Sequence, residues 1–269
     1  MKLLVSLFTL LSTYCYSQNS TASDQVKQKQ EAIVKETIQK CYSKYNYRNE
    51  MAQWQACLDE GLAKDSTIAY LWQQKAMPLF KARKYEAGMV FLDKAVFYDE
   101  KEHLPYRAFI KCIFAKTYKD AIVDFEKCKL LFGNGYEMDH TYDFHIALSY
   151  LQLNNFVKAE EIFKKDTEDQ IKKFGTAHHL DLFYYGISLF EQQKHDEAIG
   201  VFNKALLEVP NFADVKFYKA LCLQQLNEKI VSVALFSEAK TDLKNGNTIN
   251  EDQIFYEMYP YQIRKLIEN

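Results

Sequence analysis

Glycine and proline are scarce in this chain, which has 8 glycines and 4 prolines among 269 residues. Their scarcity, together with 19 tyrosines and 19 phenylalanines, favours a packed all-helical protein with little disorder outside its ends. An excess of charge of one sign is also missing, because the formal net charge is −2 and acids and bases are mixed along every segment. Without a basic stripe, we expect neither nucleic acid nor an anionic membrane surface as a partner.

Motifs that carry chemistry are missing as well. The chain has no glycine-rich phosphate loop, no nucleophile elbow, no His-Glu-x-x-His and no Cys-x-x-Cys. We therefore expect no catalytic residues, no cofactor and no enzymatic activity.

A repeated pattern occupies residues 181–240, where one set of apolar and small residues is written twice about 34 residues apart. The corresponding pairs are Gly186 and Ala220, Leu189 and Leu223, Ala198 and Ser232, Phe202 and Phe236, and Ala205 and Ala239. Both halves of each copy have helical apolar periodicity, and Pro210 ends the first copy where a helix cannot continue. Each copy is therefore predicted to be a helix hairpin, with small residues at the helix crossing.

This pattern resembles the tetratricopeptide repeat. The resemblance implies an all-α, right-handed superhelical solenoid of about six antiparallel helix hairpins. We assign residues 18–64 to a degenerate first helix pair and residues 65–240 to the repeat array. Residues 241–269 are predicted to form a C-terminal cap, with a short helix starting at Glu251 and an interruption at Pro260.

Residues 1–17 have the pattern of an export signal. Lys2 gives a positive start, residues 3–11 are mostly apolar, and Ser17 provides a small residue before Gln18. We predict a protein that is exported to the periplasm or the extracellular space and has no membrane span in its mature chain. A lipoprotein modified at Cys15 is the less favoured alternative, since Tyr14 stands where lipoproteins have a small residue.

The resemblance implies a concave groove lined by the first helices of the repeats. In this chain the matching positions are apolar and aromatic: Tyr106, Phe144, Phe183, Phe217, Met77, Ile110, Leu148, Ile187 and Leu221. The family's clamp for a peptide carboxylate is absent, with Gln73 and Arg107 as isolated exceptions. We predict a non-catalytic scaffold that binds a protein or peptide of the cell envelope, while packing of these residues between neighbouring helices remains the alternative. The tail after Asn250 is expected to reach only the end of the groove at Phe217.

Histidines and aspartates cluster in two stretches, residues 139–145 and 178–181, which open the first helices of adjacent repeats. Stacked repeats place equivalent positions side by side, so a metal- or small-molecule-dependent function at this His/Asp edge is the alternative to scaffolding. No pair has a diagnostic ligand spacing, and helix capping explains such residues. We therefore predict no metal here.

The predicted mature chain has an odd number of cysteines, namely Cys41, Cys57, Cys112, Cys128 and Cys222. Disulfides between Cys41 and Cys57 and between Cys112 and Cys128 are conceivable, because each pair lies on facing helices of one hairpin. All five lie on apolar faces, which favours buried thiols.

Overall fold

A computed structural model of the chain describes residues 24–263, and it confirms the predicted all-α helical-repeat architecture. The described residues form two compact units, the first ending at His103 and the second starting at Leu104. The predicted export signal and Cys15 lie outside the described residues. Among the residues that the structure describes, no helix combines the length and the apolar character needed to cross a bilayer.

The first unit consists of two helix pairs. Residues 24–44 form α1, followed by α2 (Met51–Lys64), α3 (Ala69–Lys81) and α4 (Tyr85–Tyr98). Trp54 is 1% exposed at the centre of the α1–α2 core, and the rings of Tyr42 and Tyr47 pack edge-on against it. Aromatic and aliphatic burial therefore holds these helices together.

Two cysteines of the first unit are bonded to each other. Cys41 at the end of α1 and Cys57 in α2 form a disulfide, with their Cα atoms 5.8 Å apart. The prediction of buried thiols is wrong for this pair, because the α1–α2 crossing brings the two side chains into bonding geometry. It is right for Cys112, Cys128 and Cys222, which are free and buried.

The second unit consists of four helix pairs, the first of which begins with α5 (Glu100–Phe109) across the unit boundary. The following helices are α6 (Tyr118–Phe132), α7 (Tyr142–Gln152), α8 (Phe156–Phe174), α9 (His179–Glu191), α10 (His195–Glu208), α11 (Ala213–Gln225) and α12 (Lys229–Lys244). A single turn of 3₁₀ helix, Asp252–Phe255, follows in the tail. It starts one residue later than the predicted short helix.

The same backbone turn closes several of the hairpins. Arg83, Asn154, Gln193 and Asn227 each adopt a positive φ between 57° and 65°. The amide that follows each of them donates to a carbonyl five residues earlier, as from Lys194 to Leu189. This hydrogen bond is the closing bond of a Schellman turn, which leads the chain directly from one helix into the next.

Small residues lie at the helix crossings, as the repeat pattern predicts. Ala205 and Ala239 are fully buried. A Cβ atom added to Gly186 of α9 would lie 2.3 Å from a ring carbon of Phe202 in α10. Glycine is therefore required at this position by the close approach of the two helices.

The first helix of the second unit changes its geometry after Phe109. Phe109 is 1% exposed, and α5 widens directly after it into a π turn over Ile110–Phe114. The amide of Ala115 accordingly donates to the carbonyl of Ile110, five residues earlier. The helix therefore leaves α-helical geometry in a π turn directly after the buried Phe109 ring.

A short β hairpin precedes α7. Strands β1 (Tyr136–Glu137) and β2 (His140–Thr141) pair antiparallel around Met138 and Asp139, both of which have positive φ. This is the signature of a type I′ turn. The hairpin was not predicted, and it sets the position of His140.

Candidate functional site

The predicted groove residues do not form an open surface in this structure. Five of the nine are at most 1% exposed: Phe144, Phe183, Ile110, Leu148 and Ile187. The other four are half-buried, Met77 in the first unit and Tyr106, Phe217 and Leu221 in the second. Packing between neighbouring elements, the alternative left open above, describes the five buried residues.

The C-terminal segment of residues 247–263, which we name the C-terminal strap, packs against first helices of the second unit. The Tyr184 hydroxyl of α9 donates to the Pro260 carbonyl at 2.8 Å, and the Tyr259 ring lies 6.5 Å from the Tyr184 ring. The Tyr261 hydroxyl donates to Glu191 at 2.8 Å. The expectation that the tail would reach only the end at Phe217 is therefore wrong.

Asp214 of α11 fastens both ends of the C-terminal strap. Its Oδ2 accepts from the amide of Ile249 at 3.1 Å and from the hydroxyl of Thr248 at 2.7 Å. Its Oδ1 accepts from the amide of Ile263 at 2.8 Å. Asp214 is fully buried, and burial raises the pKa of its carboxyl despite these hydrogen bonds. A buried carboxylate with several donors of this kind is a strong anchor for a backbone.

The middle of the C-terminal strap reaches further along the second unit. Glu257 pairs with Lys116, which follows the π turn, at 3.2 Å. Glu251 lies 3.7 Å from Nε2 of His140. Tyr259 is 2% exposed and Ile263 is fully buried, so the strap contributes apolar anchors as well as polar contacts.

The His/Asp edge comes together around Asp181. The Oδ1 atom of Asp181 lies 2.8 Å from Nδ1 of His140 and 3.5 Å from Nδ1 of His178. The Oδ2 atom accepts from the Gln170 side chain at 2.5 Å. Gln170 in turn accepts from the His178 amide at 2.9 Å, so α8 holds the start of α9 in place.

Burial and neighbouring charges shift the ionisation of this cluster. Burial alone would lower the pKa of His140, but the Asp181 and Glu251 carboxylates outweigh burial and raise it to about 9. The pKa of Asp181 lies well below its usual range, because the two histidines outweigh the effect of its burial. Burial, with the charge of Asp181 close by, raises the pKa of Asp166 to about 7.

The structure does not bring together all residues of the two sequence stretches. Asp143 pairs with Lys129, and the His145 ring stacks on Phe125 with Nε2 3.0 Å from the Glu137 carbonyl. Burial lowers the pKa of His145 to about 3, so it is a neutral core residue. His179 lies beside His178 with the ring centroids 4.2 Å apart.

Three side chains at this edge have the geometry of a possible metal site. His140, His178 and Asp181 each offer one ligand atom, and these atoms lie within 4.8 Å of one another. Two cavities, of about 440 and 420 Å³, are both lined by His178 and His179. Sequence analysis did not identify three partners of this cluster, namely Asp166, Gln170 and Glu251. Two of them, Asp166 and Gln170, are polar residues four positions apart on one helix face, and this spacing could have indicated a buried polar site.

Comparison with known proteins agrees with the architecture. Residues 182–211 match the family model of the tetratricopeptide repeat. A tetratricopeptide repeat protein from Parabacteroides merdae ATCC 43184 superposes with a TM-score of 0.59 at 15% identity, covering 87% of this chain and 81% of that chain. Residues 182–211 therefore form a tetratricopeptide repeat, and the chain as a whole has the fold of tetratricopeptide repeat proteins.

Two further solved structures share the tetratricopeptide repeat fold. YrrB, described as a tetratricopeptide repeat protein with an unusual peptide-binding site, has a TM-score of 0.50 at 16% identity and covers 70% of this chain and 93% of its own. PilW, a type IV pilus biogenesis factor, has a TM-score of 0.59 at 13% identity and covers 81% and 93%. No curated protein matches the chain.

Two features of the second unit lie outside the helix hairpins of a tetratricopeptide repeat, namely the β1–β2 hairpin and the C-terminal strap. Arg107, the isolated clamp candidate, is held by Asp124 through two hydrogen bonds of 2.8 and 2.9 Å. Its guanidinium is therefore engaged in the fold. The strap and the His/Asp edge are the features from which a function can be argued.

Proposed function

We propose that this protein is a non-catalytic scaffold whose first-helix face in the second unit binds a peptide segment. One observation carries the proposal: that face already holds such a segment, the chain's own C-terminal strap. The family and its solved neighbours support a role in protein binding. The strap acts as the intramolecular occupant, and a partner segment of similar chemistry takes its place.

The contacts of the C-terminal strap indicate which chemistry the face selects. Asp214 accepts from the backbone amides of Ile249 and Ile263, and Tyr184 donates to a backbone carbonyl. Such contacts recognise a peptide backbone without regard to side chains, while the pockets that hold Tyr259 and Ile263 select aromatic and aliphatic anchors. The partner segment is accordingly apolar and aromatic.

We also propose that the protein acts in the cell envelope, with a partner located there. The export pattern of residues 1–17 supports this, and so does the Cys41–Cys57 disulfide, because disulfides persist in oxidising compartments. A function at the His/Asp edge is the alternative, favoured by the convergence of His140, His178 and Asp181.

A fluorescent peptide with the sequence of residues 247–263 tests the peptide-binding face. Truncation of an aromatic anchor typically costs about 2 kcal/mol or more at a true interface, so Tyr259→Ala should loosen the strap. We expect the Tyr259→Ala protein to bind the peptide and the unchanged protein to bind it weakly, as measured by fluorescence anisotropy. Added salt should change the affinity little.

The matched control is Phe255→Ala, which truncates a strap aromatic that is 76% exposed and should not free the face. A peptide of the same composition in scrambled order controls for nonspecific binding. The proposed function is refuted if the folded Tyr259→Ala protein does not bind the peptide, or if it binds the scrambled peptide equally well.

A further inference from the structure

The strongest unassigned site in the second unit is the trio of His140, His178 and Asp181, none of which belongs to the C-terminal strap. The three residues come from two repeats: His140 lies in β2, His178 is the N-cap residue of α9, and Asp181 lies in the first turn of α9. Helix capping does not account for this arrangement, because the His178 side chain makes no capping hydrogen bond to α9. The three side chains instead converge on one point.

The distances within the trio suit a small tetrahedral cation. Ligand atoms that each lie about 2.0–2.1 Å from a tetrahedral zinc ion are roughly 3.3–3.4 Å apart. The Oδ1 atom of Asp181 lies 2.8 Å from one histidine Nδ1 and 3.5 Å from the other, so the two distances bracket this value. All three ligand atoms lie within 4.8 Å of one another, so a movement of roughly 1.4 Å or less would complete the geometry.

The outer partners of the trio are those that metal ligands require. The second oxygen of Asp181 is held by Gln170 at 2.5 Å. The Nε2 atom of His140 is buried and makes no hydrogen bond, and Glu251 lies 3.7 Å away. With a metal on Nδ1, the ring proton of His140 moves to Nε2 and faces this carboxylate, which is the usual arrangement of a ligating histidine.

The site is also open to solvent on one side. His140 is 1% exposed and Asp181 is 1% exposed, but the side chain of His178 is 39% exposed and lines both cavities of this edge. An ion can therefore enter past His178. The same opening leaves room for water or a small anionic ligand in the fourth position.

We propose that His140, His178 and Asp181 form a binding site for a divalent transition metal of the zinc class, with Gln170 and Glu251 as outer partners. Two imidazoles and one carboxylate suit zinc and its first-row neighbours, whereas magnesium and calcium prefer oxygen ligands alone. Because Glu251 belongs to the C-terminal strap, the bound metal also links the repeat array to the strap.

The experiment is zinc titration of the full chain after treatment with a chelator, followed by isothermal calorimetry. We expect one zinc ion per chain and a higher midpoint of thermal unfolding when zinc is present, because a ligand that binds only the folded state stabilises it. His178→Ala should weaken zinc binding at least about 100-fold. Glu251→Gln should weaken it about 10- to 100-fold, as outer partners do.

Two controls separate this site from unspecific binding. His195→Ala removes a histidine from the start of α10, outside the trio, and should leave the zinc affinity unchanged. Millimolar magnesium should not displace the zinc. The site is refuted if the unchanged protein binds no zinc, if folded His178→Ala binds it equally well, or if magnesium competes.

Failure of the metal site and failure of the peptide-binding face are distinguishable. The zinc titration is performed without peptide, and the peptide assay is performed with the chelator present. Tyr259→Ala changes the strap but none of the three ligands, so its zinc stoichiometry should remain one.

Discussion

The two units stabilise their helix pairs by different means. In the first unit, a disulfide joins residues 16 positions apart, and both tryptophans of the chain are nearby in sequence, at positions 54 and 72. In the second unit, the described cysteines are free thiols, and contacts of long sequence separation take over. Asp214 bonds to Ile263, 49 residues away, and Lys116 pairs with Glu257, 141 residues away.

This difference indicates which unit can be switched. A covalent bond between neighbouring helices does not depend on pH or on a distant segment. Buried ion pairs and a terminal strap depend on both, because each charge must remain in its state and each strap contact must compete with solvent. The stability of the second unit should therefore depend on solution conditions, whereas the stability of the first unit should depend on them less. We call this dependence the conditional character of the second unit.

Loss of the disulfide should give the largest effect and should be confined to the first unit. A cross-link that closes a loop of about 15 residues contributes about 3 kcal/mol to the free energy of unfolding. We expect the double variant Cys41→Ala, Cys57→Ala to shift the denaturant midpoint of tryptophan fluorescence, because both tryptophans lie in the first unit.

The control for this prediction is Cys222→Ala, which removes a buried thiol of the second unit. It should shift the helical circular-dichroism transition and leave the fluorescence transition in place. Equal shifts of both signals in both variants would show that the two units unfold together. The two units would then not differ in how they are stabilised.

The sequence was sufficient to predict the helix hairpins, because their pattern is local. The spacing of Gly186, Ala205 and Ala239 follows from 3.6 residues per turn and from the close approach of two helices. The turns after these helices follow similarly from the 34-residue interval. None of this depends on what lies elsewhere in the chain.

The strap and the His/Asp edge could not be predicted in the same way, because both depend on long-range contacts. Nothing near Pro260 in the sequence indicates that its carbonyl accepts from Tyr184, 76 residues away. The position of His140 depends on a two-residue β hairpin that periodicity cannot detect. The aromatic groove was predicted from repeat positions alone. The tail was expected only at the Phe217 end, whereas the C-terminal strap also contacts α9.

Raising the pH should weaken the second unit selectively. The pKa of His140 is raised to about 9 from an ordinary value of 6.5. Its contribution is therefore fully present below about pH 6.5 and is lost as the pH rises through 9, which corresponds to at most about 3 kcal/mol. Asp166, with its pKa raised to about 7, adds a separate loss between about pH 4 and 7 as its buried carboxyl ionises.

The measurement is the free energy of unfolding by circular dichroism from pH 6.5 to 9.5, with a chelator present. In the first unit, burial lowers the pKa of His103, so the titration of this residue changes the free energy of unfolding only below about pH 6.5. Tryptophan fluorescence should therefore report little change over this range. The His140→Gln variant lacks this titration, so its stability should be nearly flat between pH 7 and 8.5. Above about pH 8.5 the buried thiols of Cys112, Cys128 and Cys222, whose pKa burial raises to about 12, add a loss of stability in both proteins. Equal slopes of the two proteins between pH 7 and 8.5 would contradict the assignment.

Removal of the Tyr184 hydroxyl should give the smallest effect, and it tests how firmly the C-terminal strap is held in the second unit. Tyr184→Phe keeps the ring, which stacks at 6.2 Å on Phe163, and removes only the donor to the Pro260 carbonyl. A net hydrogen bond contributes about 0.5–1.5 kcal/mol, so global unfolding should shift by about 1 kcal/mol. Hydrogen exchange of the Ile263 amide, which donates to Asp214, should accelerate about fivefold, because the strap opens more often. Tyr185→Phe removes the same group from a half-buried neighbour in the same helix and provides the matched control. If both variants exchange Ile263 at the same rate as the unchanged protein, the Tyr184 contact does not hold the strap, and the conditional character of the second unit must reside in Asp214 and the ion pairs instead.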